Sequence, residues 1–151
     1  MYKVKAPQFR HTNYEFVRRM RYAKQAIRDP FFKTLYRMLH KPGYSLFETA
    51  LLDSMMAPNI VAVGWKHYTG QQNDEIPIVV FDDTAVASVQ ITIYDRNGDL
   101  IETGYALPTD RFQDWVYTVL KENRAIEGCR IVVEAMDWPC NKTTKSYRIP
   151  L

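Results

Sequence analysis

The spacing of apolar residues changes near Pro58, and this change divides the chain into two parts. Before Pro58 the apolar side chains recur every three or four residues, which is the period of an amphipathic α-helix. After Pro58 apolar and polar residues alternate in short runs, which is the period of a β-strand. We therefore expect a helical N-terminal segment over residues 1–58, with its helices between residues 12 and 57, and antiparallel β-structure over residues 59–151.

The helical segment should contain about three helices, because three start signals precede apolar runs. Thr12 and Glu15 form a capping box, a hydroxyl followed three residues later by a carboxylate, and predict the start of the first helix. Asp29 and Pro30 predict the start of the second, since Asp caps free N–H groups and proline suits the first helical position. Ser45 opens the third helix with a second capping box.

The apolar residues of each helix predict which side is buried. In the first helix these residues are Phe16, Met20, Ala23 and Ile27. In the second helix they are Phe31, Leu35, Met38 and Leu39. The third helix is apolar nearly all round, so we expect it to be the most buried of the three.

Six or seven strand-like runs follow, separated by turn signals such as Asn97-Gly98 and Pro139 with Asn141. The runs cover residues 60–65, 76–83, 86–95, 100–107, 114–119, 129–137 and 143–149. Residues 107–114 read as a polar loop. So many short strands in about 90 residues favour two antiparallel sheets packed as a β-sandwich. The expected fold class is α+β.

Three turns of the second part carry the motifs of a known family. Asp82-Asp83 forms an acidic turn after the second strand, and residues 95–98 match a D-x-N-G turn. Residues 135–141 match the pattern A-x-D-x-x-G-N, except that Cys140 stands where glycine is usual. In these features residues 59–151 resemble a bacterial immunoglobulin-like module. The resemblance implies an immunoglobulin-like β-sandwich and specifies no activity.

Cys129 and Cys140 lie at the two ends of one predicted strand. Such a strand separates its ends by roughly 30 Å, whereas a disulfide needs Cα atoms within about 7 Å. We therefore expect unpaired thiols and a reducing compartment. The first residues contain no apolar signal sequence, so we expect a soluble, cytoplasmic protein without a transmembrane segment. Cys140 fits a turn residue better than a nucleophile, because no histidine lies nearby in sequence.

The net charge of +3 hides an asymmetry between the two parts. Residues 1–58 contain 11 Lys and Arg against 4 Asp and Glu, and residues 59–151 contain 9 against 13, so the parts carry +7 and −4. One side of the first helix is basic and has an aromatic neighbour, and its residues are Arg18, Arg21, Lys24, Arg28 and Tyr22. Such a row suits a partner or a phosphate backbone, although a solvated helix face has the same pattern.

Asp82, Asp83 and Asp137 are the candidate metal ligands. We expect them at one end of the sandwich, because the second and sixth strands commonly run side by side. Clustered carboxylates are the oxygen ligands that calcium prefers, but the same residues often cap turns by accepting backbone N–H groups. No EF-hand pattern is present and the three histidines share no zinc-ligand spacing. We therefore expect turn caps and no cofactor.

The chain lacks the sequence motifs of common catalytic and nucleotide-binding sites. We expect a non-catalytic protein-interaction or structural module, and the alternative is a nucleic-acid-associated accessory protein that uses the basic helices. Three short helices cannot bury all of their aromatic side chains against one another, so the surplus must pack on the second part, on another chain or on a partner. These side chains are Tyr14, Phe16, Tyr22, Phe31, Phe32, Tyr36, Tyr44 and Phe47.

Overall fold

The structure, a computed structural model, describes the backbone of residues 8–151 and the side chains of residues 14–151. The chain divides between Met56 and Ala57 into two compact units, which we call the helical unit and the sheet unit. In the described residues the helical unit contains three helices, α1 (Gln8–Ala26), α2 (Pro30–Leu39) and α3 (Leu46–Asp53). The sheet unit contains two antiparallel sheets. The expected α+β class is confirmed.

The second and third helices begin at the predicted caps. Asp29 Oδ1 accepts hydrogen bonds from the backbone N–H groups of Phe31 (2.9 Å) and Phe32 (3.1 Å). The Ser45 side chain accepts from the N–H of Glu48 (3.2 Å), and the Ser45 N–H donates to Glu48 Oε2 (2.7 Å), which completes the capping box. The hydrogen bond from the Ser45 backbone lowers the pKa of Glu48.

The predicted start of α1 is wrong. The helix begins at Gln8, so Thr12 lies inside it, and the side chain of Thr12 is outside the described residues. The predicted apolar side is buried only toward the C-terminal half of the helix, where Ala23 and Ala26 enter the core. Phe16 stays exposed.

The predicted buried side of α2 is wrong for two of its four residues, while Leu35 and Leu39 are partly buried. Tyr36 is fully buried and Phe32 packs beside it, whereas Phe31 and Met38 are exposed. The helix is therefore rotated by about one residue relative to the apolar pattern. A polar contact accounts for this rotation, because the Tyr36 hydroxyl donates to Asp53 Oδ2 in α3 at 2.6 Å. The spacing of apolar residues contains no sign of such a partner.

Eight strands of the sheet unit form two four-stranded sheets in which every pair is antiparallel. The strands are β1 (Asn59–Val63), β2 (Glu75–Phe81), β3 (Val86–Tyr94), β4 (Leu100–Tyr105), β5 (Leu107–Pro108), β6 (Asp114–Thr118), β7 (Arg130–Asp137) and β8 (Lys142–Arg148). Their orders are β1-β2-β6-β5 and β4-β3-β7-β8. Seven strands match the predicted runs, and the two-residue β5 falls at the predicted polar loop.

The two sheets share one hydrophobic core, because alternate residues of their strands point inward. In β2 these residues are Ile76, Ile78 and Val80, in β3 they are Val89, Ile91 and Ile93, and in β7 they are Ile131, Val133 and Ala135. Full burial of a Val or Ile side chain is worth about 1.5–3 kcal/mol. The period of two in the sequence therefore determines which face of these three strands is buried.

The edge strands of the sheets are irregular, short or charged. β1 and β4 each contain one unpaired residue, Val61 and Ile101, where the register with the neighbouring strand shifts. β5 has two residues and ends in Pro108. β8 exposes three basic side chains, which are Lys142, Lys145 and Arg148.

The turn between β7 and β8 places Cys140 in a left-handed backbone conformation. The N–H of Cys140 donates to the carbonyl of Asp137 at 3.1 Å, and Cys140 itself has a φ of 69°. This left-handed conformation favours glycine, which is the residue that the resembling modules carry there. Cys140 is exposed and Cys129 is buried, and both thiols are free, as the strand geometry predicts.

Candidate functional site

The exposed side of α1 carries a row of cations. Ala23 and Ala26 face the core of the helical unit, while Arg21, Lys24 and Arg28 are exposed. Arg21 and Lys24 are three residues apart on α1, so they lie on one side of the helix, and Arg28 lies in the turn that follows Ala26. The basic row predicted from the sequence is therefore accessible within the helical unit.

The cations flank a groove of ≈ 540 Å³ that also has apolar walls. Its described lining residues are Phe16, Val17, Met20, Arg21, Lys24, Gln25 and Arg28. None of these is acidic, and Glu15, the single acidic residue of α1, lies 4.0 Å from Arg19 instead. The groove therefore presents positive charge beside exposed apolar surface.

Arg18 and Tyr22 do not belong to this groove. Arg18 is exposed but does not line it. Tyr22 is half-buried, with its ring centroid 6.3 Å from that of Phe32 and its hydroxyl 2.7 Å from the Tyr36 hydroxyl. Tyr22 therefore packs inside the helical unit, whereas Phe16 and Val17 supply the apolar part of the exposed face. The apolar spacing of α1 predicts Phe16 on the buried side, so it did not reveal this role.

A short hydrogen-bonded chain of Tyr22, Tyr36 and Asp53 lies behind the exposed face. The single hydroxyl proton of Tyr36 goes to the Asp53 carboxylate, so the Tyr22 hydroxyl must donate to the Tyr36 oxygen. Burial, and then the hydrogen bond to Asp53, raise the pKa of Tyr36 far above its ordinary value. Tyr36 therefore stays a neutral donor, and this chain has a structural role.

The described helices leave several aromatic side chains of the helical unit uncovered. Tyr14 is 75% exposed, Phe31 56%, Phe16 48% and Tyr44 46%. Exposed aromatic surface on this scale is typical of interaction sites.

In the sheet unit, two of the three predicted carboxylates come together. One carboxylate oxygen of Asp82 and one of Asp137 lie within 4.8 Å of each other, and both residues are buried. The predicted reason is wrong, because β2 and β7 belong to different sheets and β7 pairs with β3. The two carboxylates follow or end strands of different sheets and approach each other inside the sheet unit. Asp83 is exposed.

Both buried carboxylates also hold turns. Asp82 Oδ1 accepts the N–H of Thr84 at 2.9 Å. Asp137 accepts the backbone N–H of Asn141 at 2.6 Å and its side-chain amide at 2.8 Å. Asp82 Oδ2, in contrast, is buried and has no hydrogen-bond partner in the described residues. Burial raises the pKa of Asp82, and its backbone hydrogen bonds only partly oppose this.

A crevice of ≈ 300 Å³ leads to Asp82, and its other walls are apolar. The residues that line it with Asp82 are Val80, Ala85, Val86, Ala87, Pro108, Phe112 and Trp115. Asp82 is therefore the polar group of an otherwise apolar opening. The sequence places Asp82 after a strand, but the crevice depends on the packing of residues 80–87 against residues 108–115 and has no sequence signal.

Comparisons with known proteins identify no relative that would suggest a ligand. No protein-family model, no curated protein and no solved structure matches the chain. In the part of the chain that the structure describes, no helix has the length and apolar character needed to cross a membrane. The functional interpretation therefore depends on two features, the groove on α1 and the acidic pair, Asp82 and Asp137.

Proposed function

We propose that this protein is a non-catalytic interaction module whose helical unit binds a protein partner through the groove on α1. The observation that carries this proposal is the joint presence of exposed apolar side chains and three cations along one groove, with Arg21 and Lys24 on α1 and Arg28 in the turn after it. Aromatic and Arg side chains are enriched at interfaces, and large exposed apolar patches are rare on proteins that bind nothing.

The groove fits an acidic, amphipathic segment of the partner. Its apolar side chains would contact Phe16 and Val17, and its carboxylates would lie beside Arg21, Lys24 and Arg28. A phosphate backbone would use the cations but would leave the apolar side chains in water. For this reason a protein partner explains the face better than a nucleic acid does.

We also propose that the sheet unit is an immunoglobulin-like β-sandwich that serves as a scaffold. In immunoglobulin domains strands A, B, E and D form one sheet and strands C, F and G form the other. Lettered along the chain, β1-β2-β6-β5 corresponds to A-B-E-D, and β3-β7-β8 corresponds to C-F-G with β4 added beside C. This order supports the assignment, and an experimental structure with another strand order would contradict it.

The buried phenols of the two cores fit a structural role. Tyr36 and Tyr117 have strongly raised pKa values because they are buried, and both lie within the cores of their units. The two free thiols, Cys129 and Cys140, support a location in a reducing compartment such as the cytoplasm.

A binding experiment with two designed peptides tests the proposed function. One peptide is helical with Leu on one face and Glu on the other, and the second has Lys at every Glu position. We expect the full chain to bind the acidic peptide and not the basic one. The double variant Arg21→Glu, Lys24→Glu should weaken this binding by at least about tenfold, since two attractive charges become repulsive.

The matched control is the double variant Arg37→Glu, Lys41→Glu, which makes the same charge change outside the groove. It should bind the acidic peptide nearly as tightly as the original chain. Equal weakening by both double variants would show that only net charge matters and would refute the groove. Binding of duplex DNA in preference to the acidic peptide, with a steep dependence on salt, would favour the nucleic-acid alternative.

A further inference from the structure

The acidic pair of the sheet unit contains an atom that folding alone does not explain. Ionised carboxylates are costly to bury unless hydrogen bonds or a cation compensate for lost water. Asp82 is buried, its Oδ1 accepts a hydrogen bond from the N–H of Thr84, and the backbone of Ala85 donates to the same carboxylate. Asp82 Oδ2 has no partner in the described residues. Buried polar atoms without partners are rare in native proteins, so this oxygen is available to a water molecule or a bound ion.

The neighbouring carboxylate identifies the kind of ligand. Asp137 places a carboxylate oxygen within 4.8 Å of one from Asp82. Two oxygens that bind one Ca²⁺ at about 2.3–2.6 Å lie up to about 5 Å apart, and for Mg²⁺ the limit is about 4 Å. One ion between the two side chains fits this separation.

The surroundings of the pair also suit an ion. Asn141 holds the Asp137 carboxylate with two hydrogen bonds, of 2.6 and 2.8 Å, and such support orients metal-binding carboxylates. Asp82 lines the crevice of ≈ 300 Å³, which provides a route from solvent. Each carboxylate oxygen can accept more than one contact, so the turn caps and an ion are compatible.

We propose that Asp82 and Asp137 bind one hard divalent cation, Ca²⁺ or Mg²⁺, inside the sheet unit, with water and backbone carbonyls as the remaining ligands. This site is independent of the proposed groove on α1. Burial raises the pKa of Asp82 without a cation, and a bound cation would reverse this by stabilising the carboxylate. The competing occupant is a proton held by the pair.

Thermal unfolding of the chelator-treated full chain distinguishes the cation from the proton. All three Trp residues lie in the sheet unit, so their fluorescence reports its unfolding. Millimolar Ca²⁺ or Mg²⁺ should raise the melting temperature by about 4 °C or more, because a ligand that binds only the folded state stabilises it. Whichever ion gives the larger rise is the preferred one.

The decisive variant is Asp82→Asn, which keeps an acceptor for the Thr84 N–H and removes the charge. Without metal it should melt no lower than the original chain, and metal should not change its melting temperature. The control Asp83→Asn removes an adjacent exposed carboxylate and should keep the full response. An equal rise in the original chain and in Asp82→Asn would place the ion elsewhere and overturn the proposal.

A second measurement uses the original chain alone and does not depend on any variant. Tb³⁺ replaces Ca²⁺ at oxygen sites and emits when a nearby Trp is excited, and Trp115 lines the same crevice as Asp82. Trp excitation should produce terbium emission, and Ca²⁺ or Mg²⁺ should displace it. No sensitised emission, together with no rise in melting temperature for either ion, would show that a proton occupies the pair.

Discussion

Replacement of Tyr36 by Phe should destabilise the helical unit by about 2–3 kcal/mol, although it removes a single oxygen. The ring stays, so packing changes little, but Asp53 Oδ2 loses a donor at 2.6 Å and the Tyr22 hydroxyl loses a partner at 2.7 Å. A hydrogen bond to a charged group is worth about 1.5–3 kcal/mol, and a neutral one about 0.5–1.5 kcal/mol. The half-buried Tyr22 recovers part of its loss from water.

Urea unfolding followed by far-ultraviolet circular dichroism measures the loss in free energy of unfolding of the helical unit. The helical signal reports this unit because all described helices lie in it, except for one short 3-10 turn at Trp65–His67. Tryptophan fluorescence follows the sheet unit in the same samples. The matched control is Tyr22→Phe, which keeps the contact between Tyr36 and Asp53 and should cost about 1 kcal/mol or less. If the two variants differ by less than about 0.5 kcal/mol, the carboxylate does not depend on Tyr36 and the reasoning fails.

Three further predictions concern the turn, the thiols and the buried phenols. Cys140→Gly should stabilise the chain by up to about 1 kcal/mol, because glycine relieves the strain of the left-handed backbone conformation. The greater flexibility of glycine in the unfolded chain offsets part of this gain. A lower free energy of unfolding in urea would contradict the prediction. A thiol reagent should modify Cys140 in the folded chain and Cys129 only after unfolding. The reason is that Cys129 is buried and that burial raises the pKa of its thiol. Mass spectrometry counts the modified thiols in each state. Burial also raises the pKa of Tyr36, Tyr68 and Tyr117 above 10.0, so the stability that these three phenols contribute should be constant below pH 10 and be lost as pH rises above it. Titration of all ten tyrosines by tyrosinate absorbance while the chain is still folded would contradict this.

The sequence predicts most of the fold because local signals suffice for it. Asp29 and Ser45 form the predicted caps, and the alternating residues of β3 and β7 are buried as the period of two requires. The errors occur where a distant partner decides the outcome. The rotation of α2 depends on the contact between Tyr36 and Asp53, 17 residues apart, which an apolar pattern does not contain.

The candidate sites were predictable to different degrees. Helical spacing alone places Arg21 and Lys24 on one exposed side of α1, and Arg28 is exposed in the turn that follows the helix. The crevice and the unpartnered oxygen of Asp82 depend on how two sheets meet, so the order of residues does not reveal them. Asp137 illustrates the limit, because the sequence correctly suggests its proximity to Asp82 while the assumed strand pairing is wrong.

The edges of the two described sheets have a consequence for how copies of this protein meet at high concentration. An open edge strand offers unpaired backbone groups to a strand from another molecule, which leads to fibrous aggregation. Each edge here has a feature that hinders such addition: a bulge at Val61 in β1, a bulge at Ile101 in β4, the short β5 with Pro108, and the basic β8. These features hinder a strand from another copy of the protein from pairing with either sheet. The edges of the sheet unit therefore disfavour fibrous aggregation.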